Sequence, residues 1–125
     1  MKAIKKQKKI LIVEDERLTA KSLMYDLIDL GYNALDPVAK GEDAVDIALE
    51  KDPDLILMDI RLAGGLDGIE AAEQILEKKK IPIVYMTGYA TEFIKERAII
   101  THPIGFLEKP VDMQRVKEII DTLKV

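Results

Sequence analysis

The chain has 125 residues, 48% of them hydrophobic and 34% charged, with a net charge of −4 and no cysteine. That length fits one domain around one core, the composition is that of a globular protein rather than a disordered or fibrous one, and the missing cysteines exclude disulfide scaffolds and thiolate metal sites. The acidic balance argues against direct nucleic-acid binding, and every apolar run is strand-length, which argues against membrane insertion.

Residues 1–8 are lysine-rich and are expected to form a flexible basic tail. Only Ile10 to Val13 separate this segment from Glu14, too few apolar residues for a secretory signal, so a cytoplasmic location is expected. Ile10 to Val13 is the first predicted strand. Ala20, Leu23, Met24 and Leu27 then recur at i, i+3, i+4 and i+7, the stripe of an amphipathic helix ending at Gly31. A second strand is predicted over Asn33 to Val38, where Asp36 and Pro37 suit only an edge, and a second helix over Glu42 to Lys51, stopped before Pro53.

Leu55 to Asp59 forms the third strand, and Asp67 with Glu70 makes a capping box that opens a third helix bearing Ile69, Ala72, Ile75 and Leu76. The fourth strand is Ile83 to Thr87. A helix over Thr91 to Ile100 carries only a loose stripe of Phe93, Ile94, Ala98 and Ile99. The fifth strand, Gly105 to Glu108, leads to a last helix over Asp112 to Leu123. Five strand–helix alternations, with middle strands apolar at nearly every position, predict an α/β fold: a doubly wound five-stranded parallel sheet with five helices on its two faces.

Three acids fall at the carboxyl ends of strands, Glu14 and Asp15 after the first and Asp59 at the end of the third. In an open parallel sheet that edge binds ligands. If the two strands are neighbours the carboxylates converge, and two like charges about 4 Å apart repel by roughly 4 kcal/mol at an effective dielectric of 20. A magnesium ion, which favours a few carboxylates, water and phosphate oxygens, relieves that repulsion. Thr87 ends the fourth strand and Lys109 follows the fifth, so a nucleophilic carboxylate, a hydroxyl and an ammonium share one edge. Those groups are what phosphoryl transfer to an aspartate requires. His102, the sole histidine, is expected to be a solvent-facing loop residue.

The stretches Ile10-Leu-Ile-Val-Glu-Asp-Glu16, Asp54-Leu-Ile-Leu-Met-Asp-Ile60, Asp67-Gly-Ile-Glu70, Met86-Thr-Gly88 and Phe106-Leu-Glu-Lys-Pro110, in this order and spacing, resemble the signatures of response-regulator receiver domains across nearly the whole chain. The resemblance implies a receiver domain over residues 9–125 with the flavodoxin-like strand order 2-1-3-4-5. It implies Asp59 as phosphoacceptor, magnesium (Mg2+) held by Glu14, Asp15, Asp59 and the Arg61 backbone carbonyl, Lys109 and Thr87 stabilising the phosphoryl group, and a cis bond before Pro110. Thr87 and Phe106 would be the switch pair, with output through the fourth helix, fifth strand and fifth helix.

The implied donor is a sensor histidine kinase or a histidine phosphotransfer protein, and the implied output is a downstream partner protein of unknown identity. The domain itself would be a switch rather than an enzyme, monomeric or dimerising on phosphorylation. Because the last helix ends beside Val125, no attached output domain is expected in this sequence, and a standalone regulator, a phosphotransfer relay and one domain of a longer protein all stay open.

The sequence departs from the family's commonest pattern at three places. The segment from Ile60 to Leu66 is one residue longer than the commonest spacing and carries Ala63-Gly64-Gly65, which predicts a flexible loop. Phe106 stands where tyrosine is frequent, and Gly88 where alanine is. Arg61 and Tyr89 occupy the positions two residues beyond Asp59 and Thr87, where their bulk is expected to hinder attacking water and lengthen the phosphoryl lifetime.

Three rivals remain. A haloacid-dehalogenase-like phosphatase would need a second aspartate at position 61, which is arginine. A pseudo-receiver that binds partners without phosphorylation would be expected to have lost part of the set Glu14, Asp15, Asp59, Thr87 and Lys109. A flavin carrier would need a Gly/Ser/Thr-rich loop after the first strand.

Overall fold

The computed structural model describes residues 7–123. Strands and helices alternate as β1 (Lys9–Val13), α1 (Arg17–Asp29), β2 (Asn33–Ala34), α2 (Gly41–Lys51), β3 (Leu55–Asp59), α3 (Gly68–Lys78), β4 (Ile83–Thr87), α4 (Glu92–Ile99), β5 (Gly105–Glu108) and α5 (Met113–Asp121). The strands are parallel and lie in the order β2-β1-β3-β4-β5. The fold class is the one expected from the alternation of elements, and the strand order is the one the family resemblance implies.

Alternation of side chains along each strand splits the core into two layers. Leu11, Val13, Ile56, Met58, Ile83 and Tyr85 pack with Ala44 and Ala48 of α2, Ile69, Ala72 and Ile75 of α3, and Ala98 of α4. On the other face Ile10, Ile12, Leu55, Leu57, Val84, Met86 and Leu107 pack with Leu23 and Leu27 of α1 and with Val116, Ile119 and Ile120 of α5. β3 and β4, buried at every position, therefore read as continuous apolar runs up to their polar last residues, Asp59 and Thr87.

The ends of the helices follow local chemistry. The Glu70 N–H donates to Asp67 Oδ1 at 2.8 Å, and the Asp67 N–H donates to Glu70 Oε1 at 3.0 Å, completing the capping box that starts α3. Gly31, just beyond α1, has a φ of +95°, a left-handed conformation that glycine adopts without a Cβ penalty.

β2 is shorter than the predicted Asn33 to Val38. Leu35 N–H donates to Ile10 O and Val38 N–H to Ile12 O, so three residues on the edge match two on β1. Pro37 has no N–H to give, and the one-residue slip lets Val38 donate in its place. Val38 and Val13 then form an isolated bridge. Of the expected basic tail, residues 1–6 lie outside the described residues. Gln7 Nε2 donates to Gly31 O at 3.0 Å, and Lys8 O accepts from Asn33 N–H at 2.8 Å.

Candidate functional site

Parallel register carries the polar strand ends to one edge of the sheet. Val13 pairs with Met58, Asp59 with Met86 and Thr87 with Glu108. Glu14, Asp59, Thr87 and Lys109 thus end neighbouring strands at the carboxyl edge, where open α/β sheets hold ligands. Glu14 and Asp59 also continue the alternation of Ile10 and Ile12, and of Leu55 and Leu57, which assigns both to the sheet face covered by α1 and α5.

Glu14 and Asp59 are buried at 3% and 4% exposure, whereas Asp15 is exposed. One carboxylate oxygen from each of the three lies within 4.8 Å of the others. Lys109 Nζ joins the buried pair, donating to Glu14 Oε1 at 2.5 Å and to Asp59 Oδ2 at 2.9 Å. Burial alone would depress the Lys109 pKa, but its hydrogen bonds to Asp59 and Glu14, and their charges, outweigh that and hold it above the ordinary lysine value. Lys109 is therefore charged at neutral pH.

Backbone donors orient the remaining carboxylate oxygens. Glu16 N–H reaches Glu14 Oε2 at 3.0 Å, Arg61 N–H reaches Asp59 Oδ1 at 3.3 Å, and Ala63 N–H reaches Asp15 Oδ2 at 3.2 Å. Gly68 lies directly over Asp59: a Cβ there would come within 2.0 Å of the Asp59 carbonyl oxygen, so only glycine lets α3 start so close to the site. The Lys109–Pro110 peptide is cis.

Three carboxylates against a single ammonium leave the edge with excess negative charge and oxygen-only donors. That donor chemistry fits a hard divalent cation such as magnesium rather than zinc or copper. His102 takes no part, because it is exposed in the loop leading into the amino end of β5, the opposite edge of the sheet.

The other two expected residues are arranged differently. The Thr87 hydroxyl is buried within its own turn, donating to Tyr89 O at 2.8 Å and accepting from Tyr89 N–H at 3.1 Å. Phe106 is half-buried, its ring 5.7 Å from that of Tyr85 and tilted by 36°. Thr87 and Phe106 share the lining of a cavity of about 540 Å³ with Tyr89, Lys95 and Ile99. Arg61 and Tyr89 are both exposed.

The contact between Lys109 and Glu14, residues 95 positions apart, was not foreseen from sequence, nor was the Ala63 N–H that holds Asp15. No local pattern signals either, since both depend on how strand ends and a loop meet.

Comparison with known proteins gives a consistent result. The profile of the response regulator receiver domain matches residues 10–121. Transcriptional regulatory protein PdtaR of Mycobacterium tuberculosis is 35% identical over 82% of the chain and 50% of its own length. The phyllosphere-induced regulator PhyR of Methylorubrum extorquens is 36% identical over 89% of the chain and 41% of its own. The chain thus spans about half the length, or less, of these curated relatives.

Among solved structures, the signal receiver domain of a modulated diguanylate cyclase from Desulfovibrio desulfuricans superposes with a TM-score of 0.88 at 36% identity, over 94% of each chain. The receiver domain of the sensor histidine kinase PA1611 from Pseudomonas aeruginosa gives 0.84 at 30% identity, over 94% of this chain and 98% of the other. That structure has a magnesium ion coordinated in its active-site cleft.

Proposed function

The chain belongs to the response-regulator receiver family, and from that premise we propose that it is a signalling switch whose Asp59 accepts a phosphoryl group from a histidine kinase or a histidine phosphotransfer protein. The observation that carries this reading is the convergence of Glu14, Asp15 and Asp59 within 4.8 Å, with Lys109 bonded to the two buried members. Glu14, Asp15, Asp59 and the Arg61 carbonyl would hold magnesium, as the donor chemistry and the magnesium-bearing receiver of the P. aeruginosa kinase support. Bound there, the metal would supply positive charge against the negative charge of the phosphoryl oxygens.

A carboxylate oxygen of Asp59 forms the new P–O bond while the P–N bond of the donor phosphohistidine breaks, its electron pair returning to the imidazole nitrogen. Lys109 already faces Asp59 Oδ2 and stabilises the charge of the arriving group. Thr87 would exchange its Tyr89 partner for a phosphoryl oxygen, and Phe106 would turn into the cavity the two residues share. Hydrolysis later returns the carboxylate and releases phosphate.

Output through α4, β5 and α5 agrees with the apolar surface around α4, where Phe93 is 68%, Ile99 59% and Ile100 73% exposed. A cytoplasmic location, a receiver domain bounded by residues 9 and 125, and either a monomer or a phosphorylation-dependent dimer complete the reading.

Treatment with magnesium and acetyl phosphate, followed by intact-mass measurement, tests it. One added phosphoryl group is expected, absent in Asp59→Asn and strongly reduced by chelator. Equal labelling of Asp59→Asn would overturn the assignment, and no labelling of wild type would favour the pseudo-receiver alternative.

A further inference from the structure

Glu42 lies outside the acidic cluster, in the first turn of α2, yet its carboxylate reaches the loop that closes the cluster. The Leu66 N–H donates to Glu42 Oε1 at 2.8 Å. A Cβ built on Gly64 would stand 3.4 Å from Glu42 Oε2, and one on Gly65 3.7 Å from Oε1, so the loop backbone passes directly across the carboxylate. Gly41 makes the approach possible, because a Cβ there would come 2.9 Å from both Cβ and O of Leu66.

The same loop touches the site. Ala63 is bridged to Lys40 in parallel, and its N–H donates to Asp15 Oδ2 at 3.2 Å. At the far end Gly68 N–H donates to Ile60 O at 2.8 Å. Residues 61–67, which include two glycines with wide conformational freedom, are therefore pinned at both ends. Glu42 provides the side-chain pin on the α2 side.

We propose that Glu42 is a positioning residue for the divalent-cation site, acting through the Ala63–Leu66 loop on Asp15 and on the Arg61 carbonyl. The inference rests on the magnesium-dependent reading given above. Without the Glu42 acceptor, ordering of a glycine-containing loop is left to the moment of cation binding and is subtracted from affinity. Hydrogen-bonding groups one contact removed from metal ligands have this kind of influence.

Magnesium binding to the full chain, followed by isothermal titration calorimetry, separates position from charge. Glu42→Ala is expected to weaken magnesium binding roughly tenfold, whereas Glu42→Gln, which retains an oxygen for Leu66, should stay within about twofold of wild type. At saturating magnesium, phosphoryl uptake by Glu42→Ala should return to the wild-type rate.

Wild-type affinity in Glu42→Ala would overturn the proposal, and so would a Glu42→Gln as weak as Glu42→Ala, since the effect would then be one of charge. A wild type that binds no magnesium would overturn the underlying reading and this inference with it.

Discussion

Two buried carboxylates sharing one ammonium set the energetics of the site. Glu14 and Asp59 each give one oxygen to Lys109, and its removal leaves both charges buried without an opposite. Lys109→Met is expected to lower stability by roughly 3 to 5 kcal/mol in chelator, because breaking a buried ion pair leaves uncompensated charge. Magnesium should restore part of the loss. Asp59→Asn removes one of the like charges and keeps the pair of Lys109 with Glu14, so its stability should lie within about 1 kcal/mol of wild type. Urea unfolding of the two variants checks both, and a Lys109→Met as stable as wild type would contradict the electrostatic account. At this scale Glu14, Asp15, Asp59, Thr87 and Lys109 were legible in the sequence because each interrupts or follows an apolar run. Glu42 was not, since a first-turn acid reads as an ordinary helix start until the loop it holds is placed.

The elements divide into those fixed by their own pattern and those fixed by a neighbour. α3 and α5 carry clear apolar faces and begin at side-chain caps, whereas β2 stops early because a proline meets the ladder. α4 buries only Ala98 fully, which is why its stripe looked loose. Tyr85 holds its far end: buried in β4, its phenol shares a 2.7 Å hydrogen bond with Thr101 Oγ1, which also lies 2.6 Å from Ala98 O. Burial pushes the Tyr85 pKa from 10.0 up to about 12, with the Thr101 hydrogen bond acting in the opposite sense. A raised folded-state pKa means that the unfolded chain loses this proton first. The neutral phenol's contribution is complete below pH 10 and is lost as pH rises toward 12, on the order of 2 to 3 kcal/mol. Urea unfolding between about pH 9 and pH 12 should show a smaller decline in Tyr85→Phe than in wild type. Equal declines would mean that this phenol does not titrate as described.

At the scale of the whole molecule, the sheet brings Glu14, Asp59 and Lys109 together across 95 positions of sequence. Apolar strands alternating with amphipathic helices made the layers foreseeable, and polar residues at the strand ends made the edge foreseeable. The loop geometry over residues 61–67 depends on contacts with the start of α2 that no periodicity encodes. On the proposed reading this assembly directs a phosphoryl group to one carboxylate, leaving an acyl phosphate that borohydride reduces to homoserine. After incubation with magnesium and acetyl phosphate, then borohydride, peptide mapping is predicted to find homoserine at position 59 and at no other acidic residue. Homoserine at Glu14, Asp15 or elsewhere in place of position 59 would rule out Asp59 as the phosphoacceptor.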